Sequence, residues 1–151
     1  MEFKKELFFI EGEVLNLKLL DTFEGNENEL PFYWYEIILK SINKPIGKIS
    51  IRIGHNYHSY YNGNIGYEID KEFRGNNYAH LACQMILPVA REHKMTKLYL
   101  SCNYDNIASI KTIEKLGGEL IEEVIPPQTY IYYHPNIKPQ KIYQLNIKQE
   151  K

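Results

Sequence analysis

Apolar and polar positions alternate with a period of two from Ile46 to Ile53, where Ile49, Ile51 and Ile53 stand against Ser50 and Arg52. That period marks a half-exposed strand. Upstream, Phe32-Tyr33-Trp34-Tyr35-Glu36-Ile37-Ile38-Leu39 carries aromatic and β-branched residues on both alternating faces, which predicts a strand covered on two sides inside a sheet. Asn43-Lys44-Pro45 supplies a turn between the two runs, so they should pair as an antiparallel hairpin. Lys97 to Cys102 reads as a buried strand, Glu119 to Ile125 as another, and Lys141 to Ile147 alternates cleanly as the last. Phe3 to Leu20 alternates only loosely and fits one strand or a short helix equally well.

The period changes to 3.6 between Asn77 and Glu92, where Ala79, Ala82, Cys83, Ile86, Val89 and Ala90 fall on one face. Pro88 lies within that span and removes a backbone donor, so a kink or a shorter helix is expected. A helix between two strands predicts that the strands around it are parallel, with a right-handed crossover. Asp105 or Asn106 should cap a second helix that ends at Gly117-Gly118. Gly54 to Asn64 reads as a long polar and aromatic loop, Glu24 to Glu29 as an acidic connection, and Pro126-Pro127 as a break after which Tyr130 to Tyr133 resumes an extended course. Lys148 to Lys151 should fray.

Chemistry enters at Arg74-Gly75-Asn76-Asn77-Tyr78-Ala79, a glycine-bearing turn that follows a strand and opens directly onto the first long helix. Backbone N–H groups in such a turn form a seat for phosphate oxygens. The stretch resembles the coenzyme A-binding core of the GNAT superfamily of N-acetyltransferases, whose motif is Arg/Gln-x-x-Gly-x-Gly/Ala at a helix mouth. Gly66-Tyr67-Glu68-Ile69 matches that family's central strand, Arg74 the first motif position and Ala79 the last. Asn77 replaces the usual Gly, and Asn is the ordinary residue that best tolerates left-handed φ. A second block, Asn103 to Ser109 followed by Ile113-Glu114-Lys115-Leu116-Gly117-Gly118, is similar to the family's Asn-led helix. There Ile113 stands where many relatives place a tyrosine general acid, and Gly118 replaces a Phe.

The resemblance implies an α/β (α+β) fold with a mixed, mostly antiparallel central sheet and helices on both faces, as a single domain over residues 1–151. It also implies an acetyl-coenzyme A-dependent N-acetyltransferase acting on a primary amine of a small molecule, protein or peptide. A catalytically weak acyl-coenzyme A sensor or partner-binding module of the same fold is the alternative. Acetyl-coenzyme A would be held by Arg74, Gly75, Asn76, Asn77, Tyr78 and Ala79 at its pyrophosphate. Asn106, Ser109 and the backbone of Ile69 would meet the pantetheine arm. An alkyl amine has a reference pKa of about 10.4, so a base must take its proton before it attacks. Glu68, on the strand beside the cofactor, is the first candidate and Glu36 on a neighbouring strand the second. Tyr104 is the nearest phenol in sequence for the acid.

Composition narrows the remaining classes. A chain of 151 residues suffices for one core without metals or disulfides. A net charge of −1 gives no electrostatic footprint for nucleic acid. No apolar run approaches the roughly 20 residues that cross a bilayer, and the first residues lack a signal-peptide pattern, so a soluble, cytoplasmic protein without membrane partners is expected. Cys83 and Cys102 read as reduced, packed thiols. His55 and His58 lack carboxylate and cysteine companions, so no metal is expected, and their loop should border a substrate mouth. Among the thirteen tyrosines, Tyr57, Tyr60, Tyr61, Tyr130, Tyr132 and Tyr133 are open to lining an acceptor pocket. A homodimer is one assembly that the resemblance leaves open.

Overall fold

The computed structural model describes residues 1–148. Its strands form two sheets, and every ladder in them is antiparallel. The first holds β1 (Phe9–Glu11), β2 (Leu15–Phe23), β3 (Phe32–Leu39), β4 (Lys44–Arg52) and β5 (Ile65–Ile69) in sequence order. The second places β8 (Gln140–Asn146) between β6 (Lys97–Asn103) and β7 (Glu119–Val124). Three helices complete the fold: α1 (Tyr57–Asn62), α2 (Tyr78–Glu92) and α3 (Ile107–Lys115). The α+β class follows, and the β3–β4 hairpin forms as expected.

Residues 3–20 hold a short 3₁₀ turn and two strands, β1 and most of β2, where a single element was expected. The weak period arose because β1 is an edge strand of three residues, too short to show alternation. On β3 the odd positions Tyr33, Tyr35, Ile37 and Leu39 are buried, whereas Trp34 remains 36% exposed. This strand is central but covered on one face only. The buried face receives α2, whose Ala82, Cys83, Ile86, Val89 and Ala90 join the same core. Each large aliphatic side chain sealed there contributes about 1.5–3 kcal/mol.

Helix α2 runs through Pro88 to Glu92. Both Pro88 and Gln84, whose carbonyl loses its usual partner, are exposed, so the missing donor falls on the solvent side of the helix. Both faces of the second sheet carry helices. Tyr99 meets α1 through Tyr60 and stacks edge-on with His55, while Leu98, Leu100 and Cys102 enter the core that Ile110 and Ile113 of α3 share. Asn56 caps α1 with a reciprocal pair to Ser59, which turns part of the predicted 54–64 loop into helix. Tyr130 to Tyr133 is not extended: Tyr130 N–H donates to Pro127 O and Tyr133 N–H to Tyr130 O, making turns. The carbonyl of Lys148 accepts from Arg91 Nε at 3.0 Å, and residues 149–151 of the expected frayed end lie outside the described residues.

Strands β5 and β6, expected to be parallel across α2, share no ladder: they lie in different sheets, joined where Asn64 N–H donates to Tyr99 O at 2.6 Å and Tyr99 N–H donates to Asn64 Oδ1 at 2.9 Å. From that vertex the two sheets part.

Candidate functional site

The vertex is built by one side chain. Asn64, fully buried, donates through Nδ2 to Arg52 O and Gly54 O while its Oδ1 accepts from Tyr99. It therefore knits β4 to β6 at the point where β5 begins. Strand β5 keeps the same register against β4 throughout, and Arg52 N–H to Asn64 O and Asp70 N–H to Ile46 O fix the bonded positions as the even ones. The main-chain groups of Tyr67 and Ile69 consequently point away from β4, toward the gap. Gly47 permits the close approach, because a Cβ there would collide with the Glu68 carbonyl oxygen.

At the end of β5 the chain makes a 3₁₀ turn and enters α2 through Arg74 to Asn77. Arg74 Nε donates to Ile69 O at 2.8 Å, which satisfies that carbonyl and leaves the Ile69 N–H facing the gap. Gly75 (φ 83°) and Asn77 (φ 68°) both take left-handed conformations, as the substitution of Asn for Gly anticipated. Asn76 folds its amide back on Phe73 O and Arg74 O. No side chain caps α2: Asn77 Oδ1 instead accepts from Lys115 Nζ at 2.9 Å. The first N–H groups of the helix are thus left without an intrahelical or side-chain acceptor.

A cleft of about 430 Å³ opens over these amides, with Ile69, Phe73, Arg74, Gly75, Asn77, Tyr78 and Ala79 on one side. Helix α3 supplies Ala108, Lys111 and Thr112 opposite them. Asn106, rather than Asp105, caps α3 by accepting from Ser109 N–H at 3.2 Å, while Asp105 pairs with Lys138 at 2.8 Å. Ser109 Oγ in turn accepts from the Tyr67 hydroxyl at 3.3 Å. Burial pushes the Tyr67 phenol above its ordinary pKa, and the Ser109 contact offsets part of that. Asn106 and Ser109 stand beside the cleft wall rather than in it.

Glu36 and Glu68 lie elsewhere. Both project from the face opposite Tyr67, where the register sets Lys18, Glu36, Lys48 and Glu68 side by side across β2 to β5. With Pro45, Gly47 and Asp70 the last three line a hollow of about 370 Å³. Glu68 and Asp70 flank Ile69 in the chain, so the hollow and the cleft abut on either side of one residue. Tyr104 is 44% exposed, its N–H bonded to Pro139 O, and it lines neither space. The tyrosines of α1 pack edge-to-face, as do Tyr130 and Tyr132, and a tilted Tyr61–Tyr130 contact joins the two groups; Tyr60 donates to Glu122 at 2.8 Å. His58 accepts from Ile131 N–H. Cys83 and Cys102 are free and buried.

Residues 13–119 match the family model of the acetyltransferase (GNAT) domain. The chain belongs to the GNAT acetyltransferase family. Its fold is similar to that of RimL, a ribosomal L7/L12 α-N-protein acetyltransferase, in complex with coenzyme A, with TM-score 0.68 and 16% identity over 92% of this chain and 98% of that one. A second likeness is to the Salmonella typhimurium acetyltransferase that modifies the N-terminal serine of 50S ribosomal protein L7/L12, with TM-score 0.60, 21% identity, and 78% and 64% covered. A third is to the microcin C7 self-immunity acetyltransferase MccE in complex with acetyl-CoA and AMP, with TM-score 0.59, 21% identity, and 77% and 61% covered. The chain thus spans less than two thirds of the latter two. No curated protein sequence matches it.

Within this GNAT domain the residues suit a phosphate-bearing thioester. Nothing lies within 4 Å of a Cβ built on Gly75, so the turn is open to a ligand. His80, only 6% exposed on the first turn of α2, has an Nδ1 without a partner among the described residues and lines the cleft. Burial lowers its pKa, with Lys115 adding to the effect. Sequence reading missed His80, Lys111 and Thr112 as cleft residues, Asn64 as the vertex and Tyr67 as the phenol bonded to Ser109 beside the cleft. Only Tyr67 carried a signal, as the odd neighbour of Glu68 on a strand matching the family's central one. Ile113, at the usual tyrosine position, is 2% exposed in the core.

Proposed function

We propose that this chain transfers the acetyl group of acetyl-coenzyme A to a primary amine. The observation that carries the reading is the uncapped start of α2 opening on the unpaired edge of β5. Amides from Gly75 to His80 hold the pyrophosphate, with positive charge from Arg74 and Lys111 on either wall. Asn106 and Ser109 border the pantetheine arm. The thioester supplies an activated acyl group with a stable leaving thiolate.

The protein's own groups do the rest. The Ile69 N–H, which the register points away from β4 into the gap, donates to the acyl oxygen as negative charge grows there. Glu68, with Glu36 behind it on the same face, takes a proton from the bound ammonium, so that the free amine attacks the thioester carbonyl. Tyr67 keeps its proton at neutral pH, as its raised pKa requires, and delivers it to the departing sulfur. In this role it replaces Tyr104 and the absent tyrosine at 113.

Thiol release from acetyl-coenzyme A in the presence of an amine panel tests the proposal. Turnover above the amine-free rate is expected, with Glu68→Gln and Tyr67→Phe each lowering kcat about 10²-fold and leaving coenzyme A affinity within about 3-fold. Coenzyme A binding without turnover on any amine would overturn the catalytic reading.

A further inference from the structure

The uncovered face of the first sheet holds a cation of its own. Lys48 Nζ sits 5.2 Å from the centroid of Trp34, the chain's single tryptophan, over an indole that is 36% exposed. Register places Glu36 and Glu68 directly opposite Lys48 on either side, yet neither forms an ion pair with it among the described residues. The ammonium is held by an aromatic face while two carboxylates beside it remain unmatched. Two hollows of about 370 and 310 Å³ meet here, sharing Lys48 and Glu68. The second passes from Trp34 over Ser50 to Gly66, where the missing side chain leaves the surface low.

Charge decides what this groove takes. Glu36, Glu68 and Asp70 oppose one ammonium, Lys48, in the larger hollow; Lys18 flanks Glu36 on its far side. An anion would meet three carboxylates, and an uncharged acceptor would leave them unpaired. An aliphatic dication satisfies both ends: one ammonium on the indole, the other beside Glu68. Trp34 on β3 is in register with Gly66 on β5, so Glu68 lies two strand spacings across and two residues along, roughly 12 Å away. We propose that this face binds an α,ω-diammonium acceptor, whose far cation displaces Lys48 from Trp34 while its near amine lies at Glu68. The inference rests on the acetyl-transfer reading for the fate of the near amine, but binding itself requires no cofactor.

Trp34 is its own reporter. Titrating the cofactor-free protein with 1,6-diaminohexane at fixed ionic strength should change tryptophan fluorescence saturably, at concentrations at least 10-fold below those needed for 1-aminohexane. Lys48→Met removes the resident competitor and should tighten diamine binding about 5- to 10-fold. Glu36→Gln should weaken it by a similar factor. Equal response to mono- and diamine, or a Lys48→Met protein that binds diamine no better than the wild type, overturns the proposal. Diamine binding with no acetyl transfer would sink the catalytic reading alone, whereas transfer with no preference for diamines would sink this one alone.

Discussion

Asn77 shows how a single residue sets the mouth of the cleft. Its φ of 68° is a conformation that glycine adopts freely, asparagine tolerates, and β-branched residues resist by roughly 1–2 kcal/mol. Asn77→Gly should therefore leave the melting temperature nearly unchanged, while Asn77→Val should destabilise by about that amount and weaken coenzyme A binding in the same calorimetric series. Three histidines act together in a different way. Burial lowers the pKa of His55, His80 and His93, with nearby lysines adding to the effect; His93 also shares a 2.7 Å hydrogen bond with the Tyr33 hydroxyl. Unfolding raises each toward about 6.5, so the unfolded chain binds more protons below that value. Stability should be full above about pH 6.5 and fall as the pH drops through the lowered folded values. Melting curves between pH 8 and 5 check this, and a flat profile would contradict it.

Asn64 governs how elements divide. It bonds three backbone groups drawn from β4, the following loop and β6, and with its own N–H on Tyr99 O it joins the two sheets where β5 begins. Asn64→Leu keeps the branching but not the polarity, and strands buried polar groups, for an expected loss of about 2–4 kcal/mol. Denaturant melts should show that loss, and the variant's coenzyme A affinity should fall with it because the gap begins there. The amphipathic run of α2 and the β3–β4 hairpin were legible because period and turn chemistry are local properties. The split between β5 and β6 was not, since a helix linking two strands predicts adjacency and says nothing of a side chain that ends the pairing. Helix α1 was hidden among polar aromatics whose partners, Tyr99 and Tyr130, lie far along the chain.

Across the whole molecule, the two sheets supply different halves of one device. The first presents an unpaired strand edge and an open charged face. The second, through α3, supplies the opposite wall of the cleft. The phosphate turn was readable from the sequence because its chemistry lies in consecutive residues, Arg74 to Ala79. The base, acid and cleft lining were only partly readable. Glu68 and Tyr67 are neighbours in sequence yet face opposite sides, and His80 gains its meaning from Lys115 and Lys111 on another helix. None of the described helices is long and apolar enough to cross a membrane. The central claim is that main-chain amides at residues 75–80 grip the cofactor's pyrophosphate. Backbone amide NMR during a coenzyme A titration tests it most directly. Saturable shifts that are largest for Gly75 to His80 and extend to Ile69 are expected; saturable binding that leaves those amides unmoved would rule the grip out.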